Sequence, residues 1–113
     1  MDLTELTAAL RTFAEERDWE KFHTPRNLAV SVSIEAAELL ELVQWRTDEE
    51  LDADLATESG RALFGDELAD VLIYLVRLAD VAGIDLAEAT TAKIGVNRNR
   101  FPLAEPPFYP ARP

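Results

Sequence analysis

Two pairs of carboxylates stand in the two most apolar stretches of this 113-residue chain. Glu35 and Glu38 form a Glu-x-x-Glu pair, and Glu67 and Asp70 form a Glu-x-x-Asp pair. A spacing of three residues places both members of a pair on one face of an α-helix, one turn apart. Buried carboxylates must be paired, protonated or bound to a metal. Four that converge suit a hard divalent cation such as Mg²⁺, with Mn²⁺ as a substitute.

Surface ion pairs explain these four carboxylates poorly. Neither of the two apolar stretches contains a lysine, and Arg77 is the main basic candidate within them. One arginine cannot neutralise four acids. The alternative that the four are ordinary exposed charges or half-buried salt bridges stays open at this point.

The donor set narrows the choice of metal. A di-iron carboxylate bundle would use Glu-x-x-His pairs, and zinc would require histidine or cysteine. The chain has no cysteine, and His23 lies outside both apolar stretches. A calcium loop also fails, because Asp52-x-Asp54 is followed by Ala56 and Thr57 where a further ligand and a glycine are needed. All-oxygen ligation leaves Mg²⁺ or Mn²⁺, which commonly hold phosphates.

Hydrophobic periodicity and capping residues predict five helices and no strand. Both stretches that carry the acid pairs look apolar all round, so we expect them to be buried. Gly60 is expected near the end of the short acidic helix and Gly83 at the end of the third long one. The predicted helices are Asp2–Arg17, Pro25–Trp45 with Thr24 as N-cap, Asp48–Glu58, Arg61–Val81, and one capped by Asp85 that reaches Arg98 or Arg100.

Domain organisation is predicted to be simple. Residues 1–101 would form one all-α domain, and residues 102–113 a proline-rich C-terminal tail, since prolines exclude a helix there. A chain of this length can bury one core and would gain from oligomerisation. No apolar run is long enough to span a bilayer.

Composition limits the partners and the compartment. The formal net charge of −11 argues against binding to nucleic acid polymers. The absence of cysteine fits a cytoplasmic protein, and the N-terminal sequence shows no basic region leading into an apolar stretch, so we expect no secretory signal.

The last predicted helix offers cations for a phosphate. Lys93, Asn97 and Arg100 are spaced i, i+4, i+7 and therefore share one face. Such a stripe is often only a solvated face. Together with four carboxylates that hold a metal, however, Lys93 and Arg100 could clamp phosphate oxygens.

In their order along the chain, these motifs resemble the MazG-type all-α nucleoside triphosphate pyrophosphohydrolases, most closely the dCTP pyrophosphatase branch. The resemblance covers roughly residues 3–102. It is carried by the two acid pairs, the Lys93-x-x-x-Asn97-x-x-Arg100 stripe, the segments 13–28 and 66–76, Gln44-Trp45, and the segment 97–102.

This resemblance implies a four-helix-bundle-like fold assembled as a homo-oligomer, with a tetramer favoured over a dimer. It implies a nucleotide diphosphatase that hydrolyses dCTP or a modified dCTP to the monophosphate and pyrophosphate, as part of nucleotide-pool house-cleaning. Glu35, Glu38, Glu67 and Asp70 would hold Mg²⁺, and Lys93 and Asn97 would lie near the triphosphate. The base and sugar would be contacted by Trp19, His23, Trp45 and Tyr74.

The chemistry expected from the residues agrees with that assignment. Metal-assisted hydrolysis needs a carboxylate that takes a proton from water, and we expect Glu38 or Glu35 in this catalytic role. Indole faces such as those of Trp19 and Trp45 can stack on a base. Two alternatives stay open: a pyrophosphatase of broader nucleotide specificity, and a non-catalytic helical oligomerisation or binding module that keeps its acidic face only for folding.

Overall fold

The computed structural model describes residues 1–103 and contains five α-helices and no strand within that range. A short 3-10 turn, Glu20–Phe22, separates the first two helices. The predicted all-helical class is therefore confirmed. The helices are α1 Leu3–Glu16, α2 Pro25–Glu41, α3 Asp48–Leu55, α4 Glu58–Val81 and α5 Leu86–Arg100.

The residue directly before each of the five α-helices caps it: its side chain accepts a hydrogen bond from a backbone N–H of the first helical turn that has no partner within the helix. The Thr24 hydroxyl accepts from Asn27 N at 3.1 Å, directly before Pro25, as predicted. Thr47 and Glu50 form a complete capping box at the start of α3. The remaining caps are Asp2, Thr57 and Asp85.

The second helix is shorter than the sequence predicted. It ends at Glu41 rather than at Trp45, and the chain continues in tight turns in which Val43 N donates to Leu40 O at 3.0 Å. Hydrogen bonds spanning three residues tighten a helix end and prevent its continuation. Trp45 consequently lies beyond α2, in the connection to α3.

Gly60 also has a role different from the predicted one. It is the third residue of α4, where its N–H donates to the Thr57 hydroxyl at 3.0 Å. A Cβ at this position would lie 2.0 Å from the backbone oxygen of Asp54. Glycine is therefore needed for the close approach of α3 and α4, not to end a helix. Gly83, with φ of +71°, does end α4 as predicted.

The chain divides into two compact units. The first, Met1–Gly83, contains α1 to α4, and the second begins at Ile84 and contains α5. Within the first unit α4 packs against α1, α2 and α3. Its buried apolar residues are Ala14, Leu28, Val76 and Ala79. The predicted division at residue 101 is not tested, and most of the predicted tail lies outside the described residues.

The expectation that α2 and α4 are buried all round is wrong for a single copy of the chain. Val30, Ile34 and Leu40 on α2 are each about half exposed, and so is Leu68 on α4. The reason is the number of neighbours: the other helices of this unit cover only part of each helix surface. No helix among residues 1–103 combines the length and apolar character needed to cross a bilayer.

Candidate active site

The two carboxylate pairs meet between α2 and α4. Glu35 and Glu38 project from α2, Glu67 and Asp70 from α4, and each provides a carboxylate oxygen within 4.8 Å of the others. The two helices pack along each other, which brings pairs distant in sequence into one cluster. Their predicted convergence is confirmed. Four oxygen ligands at this separation fit the donor set that Mg²⁺ or Mn²⁺ prefers.

Two oxygens of this carboxylate cluster lack any hydrogen-bond partner. Glu35 Oε2 and Glu67 Oε2 are buried, and no donor in the described part of the chain reaches them. No arginine or lysine among residues 1–103 forms a salt bridge with any of the four carboxylates. Buried anionic oxygens without a donor are costly, and coordination to a cation would satisfy them. The residues therefore fit a divalent metal ion.

Burial and neighbouring carboxylates raise the pKa of two members of the carboxylate cluster. Burial, the adjoining Glu38 carboxyl and the charges of Asp70 and Glu67 raise the pKa of Glu35 to about 7. Burial, followed by the charges of Glu38 and Asp70, also raises the pKa of Glu67. Without a cation, burial and the neighbouring carboxylates therefore disfavour the ionised forms of Glu35 and Glu67. A cation would reverse that effect, because it favours the charged form of each ligand.

One face of α4 continues the site beyond the carboxylates. Glu67, Asp70, Tyr74 and Arg77 follow at intervals of three, four and three residues, so all four lie within about 80° around the helix axis. Tyr74 is partly buried and lies one turn beyond Asp70. The polar stripe of α4, defined by these four residues, thus links the carboxylate cluster to the part of the helix that faces His23.

Two of the aromatic residues assigned to the base and sugar lie together. Trp19 and His23 make an edge-on ring contact with centroids 6.3 Å apart, and the Phe13 and Trp19 rings make a second one with centroids 5.7 Å apart. Trp45 is separate, because it makes no ring contact with any described residue and is 85% exposed. An indole as exposed as that of Trp45 is available to a ligand or to another copy of the chain.

Sequence reasoning overlooked the partners of His23. Arg77 Nε donates to His23 Nδ1 at 3.0 Å, and Arg77 Nη1 donates to Asp80 at 3.0 Å. Arg77 is only 7% exposed and does not pair with the carboxylate cluster. An arginine in an apolar helix with an aspartate three residues later is the signal that could have revealed this network, since a buried guanidinium requires acceptors.

The predicted phosphate-binding residues all belong to the second unit. Lys93, Asn97 and Arg100 lie within α5, so their spacing does place them on one helix face. The guanidinium of Arg100 lies 5.3 Å from the Phe101 ring. Their role in binding phosphate is not tested and stays a prediction.

A separate cavity of about 330 Å³ lies among the end of α2, α3 and the start of α4. Half of its eight lining residues are apolar, namely three leucines and Phe64, and its acid, Asp54, is already paired with Arg46 at 2.6 Å. The Thr57 hydroxyl in its wall caps α4. None of the predicted site residues lines this cavity.

The helical fold and the carboxylate cluster define a class of protein. The model of the MazG-like family matches residues 30–106, about two thirds of the chain, and this match includes both acid pairs. The chain therefore belongs to the MazG-like family, and the predicted resemblance is confirmed.

Individual proteins of known name or structure are similar to this chain over most of its length. The crystal structure of a pyrophosphatase from Archaeoglobus fulgidus is 48% identical, with a TM-score of 0.80, over 88% of this chain and 91% of that one. The dCTP pyrophosphatase 1 proteins of Bos taurus and Homo sapiens are 47% and 49% identical, each over 80% of this chain. These alignments cover 54% and 53% of those two proteins, so the chain spans about half the length of the curated relatives it matches.

Proposed function

We propose that the protein is a Mg²⁺-dependent nucleoside triphosphate pyrophosphohydrolase that converts dCTP, or a modified dCTP, and water to the monophosphate and pyrophosphate. The observation that carries this proposal is the carboxylate cluster, with two buried oxygens that no donor among residues 1–103 satisfies, in a member of the MazG-like family. The choice of cytosine rests on the relatives named dCTP pyrophosphatase 1.

Glu35, Glu38, Glu67 and Asp70 would hold the metal. A bound Mg²⁺ would neutralise charge on the phosphates and lower the pKa of a water molecule. Glu38, or Glu35 in its place, accepts the proton of the attacking water.

The remaining residues are assigned to the substrate. Lys93, Asn97 and Arg100 bind the phosphates through charge-assisted hydrogen bonds. Trp19, His23, Trp45 and Tyr74 bind the base and sugar, and the ring contact between Trp19 and His23 supports their common role. The location is proposed to be cytoplasmic, in line with the cysteine-free sequence.

A homo-oligomer, with a tetramer favoured over a dimer, is part of the proposal. Support comes from apolar side chains that one copy leaves exposed on α2 and α4, among them Val30, Ile34, Leu68 and Leu72. Val30 and Ile34, like Leu68 and Leu72, stand four residues apart and so share a helix face, and exposed apolar faces are characteristic of protein interfaces. Measurement of mass in solution, by light scattering over a range of concentrations, tests this assembly.

The deciding experiment measures pyrophosphate release from a panel of nucleoside triphosphates, with Mg²⁺ and with a chelator. We expect Mg²⁺-dependent turnover that is fastest with dCTP or a 5-substituted analogue. Turnover led by another base would retain the chemistry and refute the cytosine assignment. Absence of turnover with every nucleotide, from folded protein, would favour the binding module.

Matched variants separate the metal site from general charge effects. Glu38→Gln should lower kcat by about 10²- to 10⁴-fold, the range for loss of a general base. Glu41→Gln removes the same charge one turn further along α2, from an exposed side chain outside the carboxylate cluster, and should leave kcat unchanged. Equal effects in the two variants would contradict the assignment of Glu38.

A further inference from the structure

His23 is held by a side chain from a distant part of the chain. It follows the 3-10 turn Glu20–Phe22, is partly buried, and accepts a hydrogen bond at Nδ1 from Arg77 Nε of α4 at 3.0 Å. Its ring also contacts the edge of Trp19. Among the described residues no partner is found for the opposite ring nitrogen, Nε2.

The identity of the donor determines the tautomer of the imidazole. A guanidinium has only donors and stays protonated, so the nitrogen that faces it must be the unprotonated one. The neutral ring therefore carries its proton on Nε2. In an imidazolium, Nδ1 would also carry a proton, and this N–H would face the N–H of Arg77 with no acceptor between them. In agreement, burial and the charge of Arg77 both lower the pKa of His23.

Arg77 is itself fixed in orientation. Its side chain is 8% exposed, and its Nη1 donates to Asp80 at 3.0 Å. Arg11 of α1 donates to the same carboxylate, with its Nη2 2.6 Å from Oδ1 and its Nε 3.2 Å from Oδ2, the oxygen that also accepts from Arg77. Charge-assisted bonds of this kind are directional, so the guanidinium cannot rotate freely away from His23.

We propose that Arg77 is a positioning residue, which holds His23 as the neutral Nε2–H tautomer so that the ring presents one hydrogen-bond donor to the nucleotide base. The part concerning the nucleotide rests on the proposed function. A single donor selects an acceptor atom, such as the ring carbonyl or ring nitrogen of a pyrimidine, and does not match an exocyclic amino group.

The tautomer can be observed directly, because the chain contains one histidine. In ¹⁵N–¹H spectra of the labelled 113-residue chain at pH 7, we expect an unprotonated Nδ1 and a protonated Nε2. A protonated Nδ1, or an imidazolium, in the native protein would overturn the proposal without any variant. This measurement requires no substrate, so it judges the role of Arg77 even if no nucleotide is hydrolysed.

Three variants test whether Arg77 is the cause. Arg77→Met removes the donor and should produce a mixture of tautomers. Arg77→Lys keeps a group that only donates and should restore the Nε2–H form. Arg11→Met disturbs Asp80 without touching His23 and should leave the tautomer unchanged. An unchanged tautomer in folded Arg77→Met would refute the proposal. If Arg77→Met does not fold, Arg77→Gln replaces it, because an amide has an acceptor as well as a donor and should also give a mixture of tautomers.

Substrate binding is tested by a pair of histidine substitutions. His23→Gln can place an amide N–H near the position of Nε2, whereas His23→Asn places it near Nδ1. We expect KM for the best nucleotide to rise about 10-fold in His23→Asn and in Arg77→Met, with a smaller change in kcat, and to rise less in His23→Gln, whose amide can restore the donor near Nε2. Equal KM values for the Gln and Asn variants would show that the substrate does not use the donor.

Discussion

Gly60 provides a direct test of how closely α3 and α4 approach. A Cβ at residue 60 would lie 2.0 Å from the Asp54 backbone oxygen, and carbon–oxygen contacts below 3.0 Å are essentially absent, so the backbones must separate by about 1 Å. Overpacking costs about 1–3 kcal/mol, and a backbone obstacle favours the upper end. Alanine also has a higher helix propensity than glycine, which offsets about 1 kcal/mol of that cost. Gly60→Ala should therefore lower the free energy of unfolding by about 2 kcal/mol.

The matched control is Gly65→Ala in the same helix. Apart from its own stretch of helix, no described part of the chain comes within 4 Å of a Cβ built there, so only the helix propensity changes and stability should increase by about 1 kcal/mol. An unfolding entropy of about 2.1 cal/mol/K per residue makes 1 kcal/mol equal to about 4 °C for a chain of this length.

Thermal unfolding at one fixed protomer concentration should therefore give a Tm about 8 °C lower for Gly60→Ala and about 4 °C higher for Gly65→Ala. The fixed concentration matters because the Tm of an oligomer depends on it. If both substitutions raised the Tm, the close approach of α3 and α4 at Gly60 would be refuted.

Three further predictions concern an ion pair, a cap and the substrate. Asp80→Asn should cost about 3 kcal/mol at pH 7, because it leaves the buried Arg77 without its anion. Arg11 and Arg77 lower the pKa of Asp80 in the folded protein. The stability that the Asp80 carboxylate contributes is therefore complete above the pKa of Asp80 in the unfolded chain, and it is lost as the pH falls through the pKa in the folded protein. Denaturant unfolding curves should accordingly show that the free energies of unfolding of Asp80→Asn and of the native protein converge in acid. Thr47→Ala should cost about 1 kcal/mol and speed amide exchange in α3. Lys93→Met should lower kcat/KM at least 10-fold in steady-state assays, whereas Lys21→Met, an exposed partner of Asp18, should not.

Much of the local structure could be predicted because its causes are local. Thr24 before Pro25, Asp85 and Gly83 act within one turn of their own positions, and each behaves as the sequence indicates. The convergence of the two acid pairs could also be predicted, since an apolar helix that carries carboxylates must face a partner that satisfies them.

The features that could not be predicted depend on distances between segments. Gly60 looks like a helix end in the sequence, and only the position of Asp54 shows that it is a point of close approach. The bond from Arg77 to His23 joins residues 54 positions apart. The extent of burial on α2 and α4 also depends on what covers them, and helical periodicity does not tell a neighbouring helix from a second copy of the chain.

The polar stripe of α4 has a consequence for changes in chain length. Each residue inserted into an α-helix turns everything beyond it by about 100° and moves it 1.5 Å along the axis. One insertion between Asp70 and Tyr74 would leave the carboxylate cluster intact and direct Arg77 away from His23. The interval from Glu67 to Arg77 must therefore keep a fixed number of residues for the carboxylate cluster and the bond to His23 to exist together.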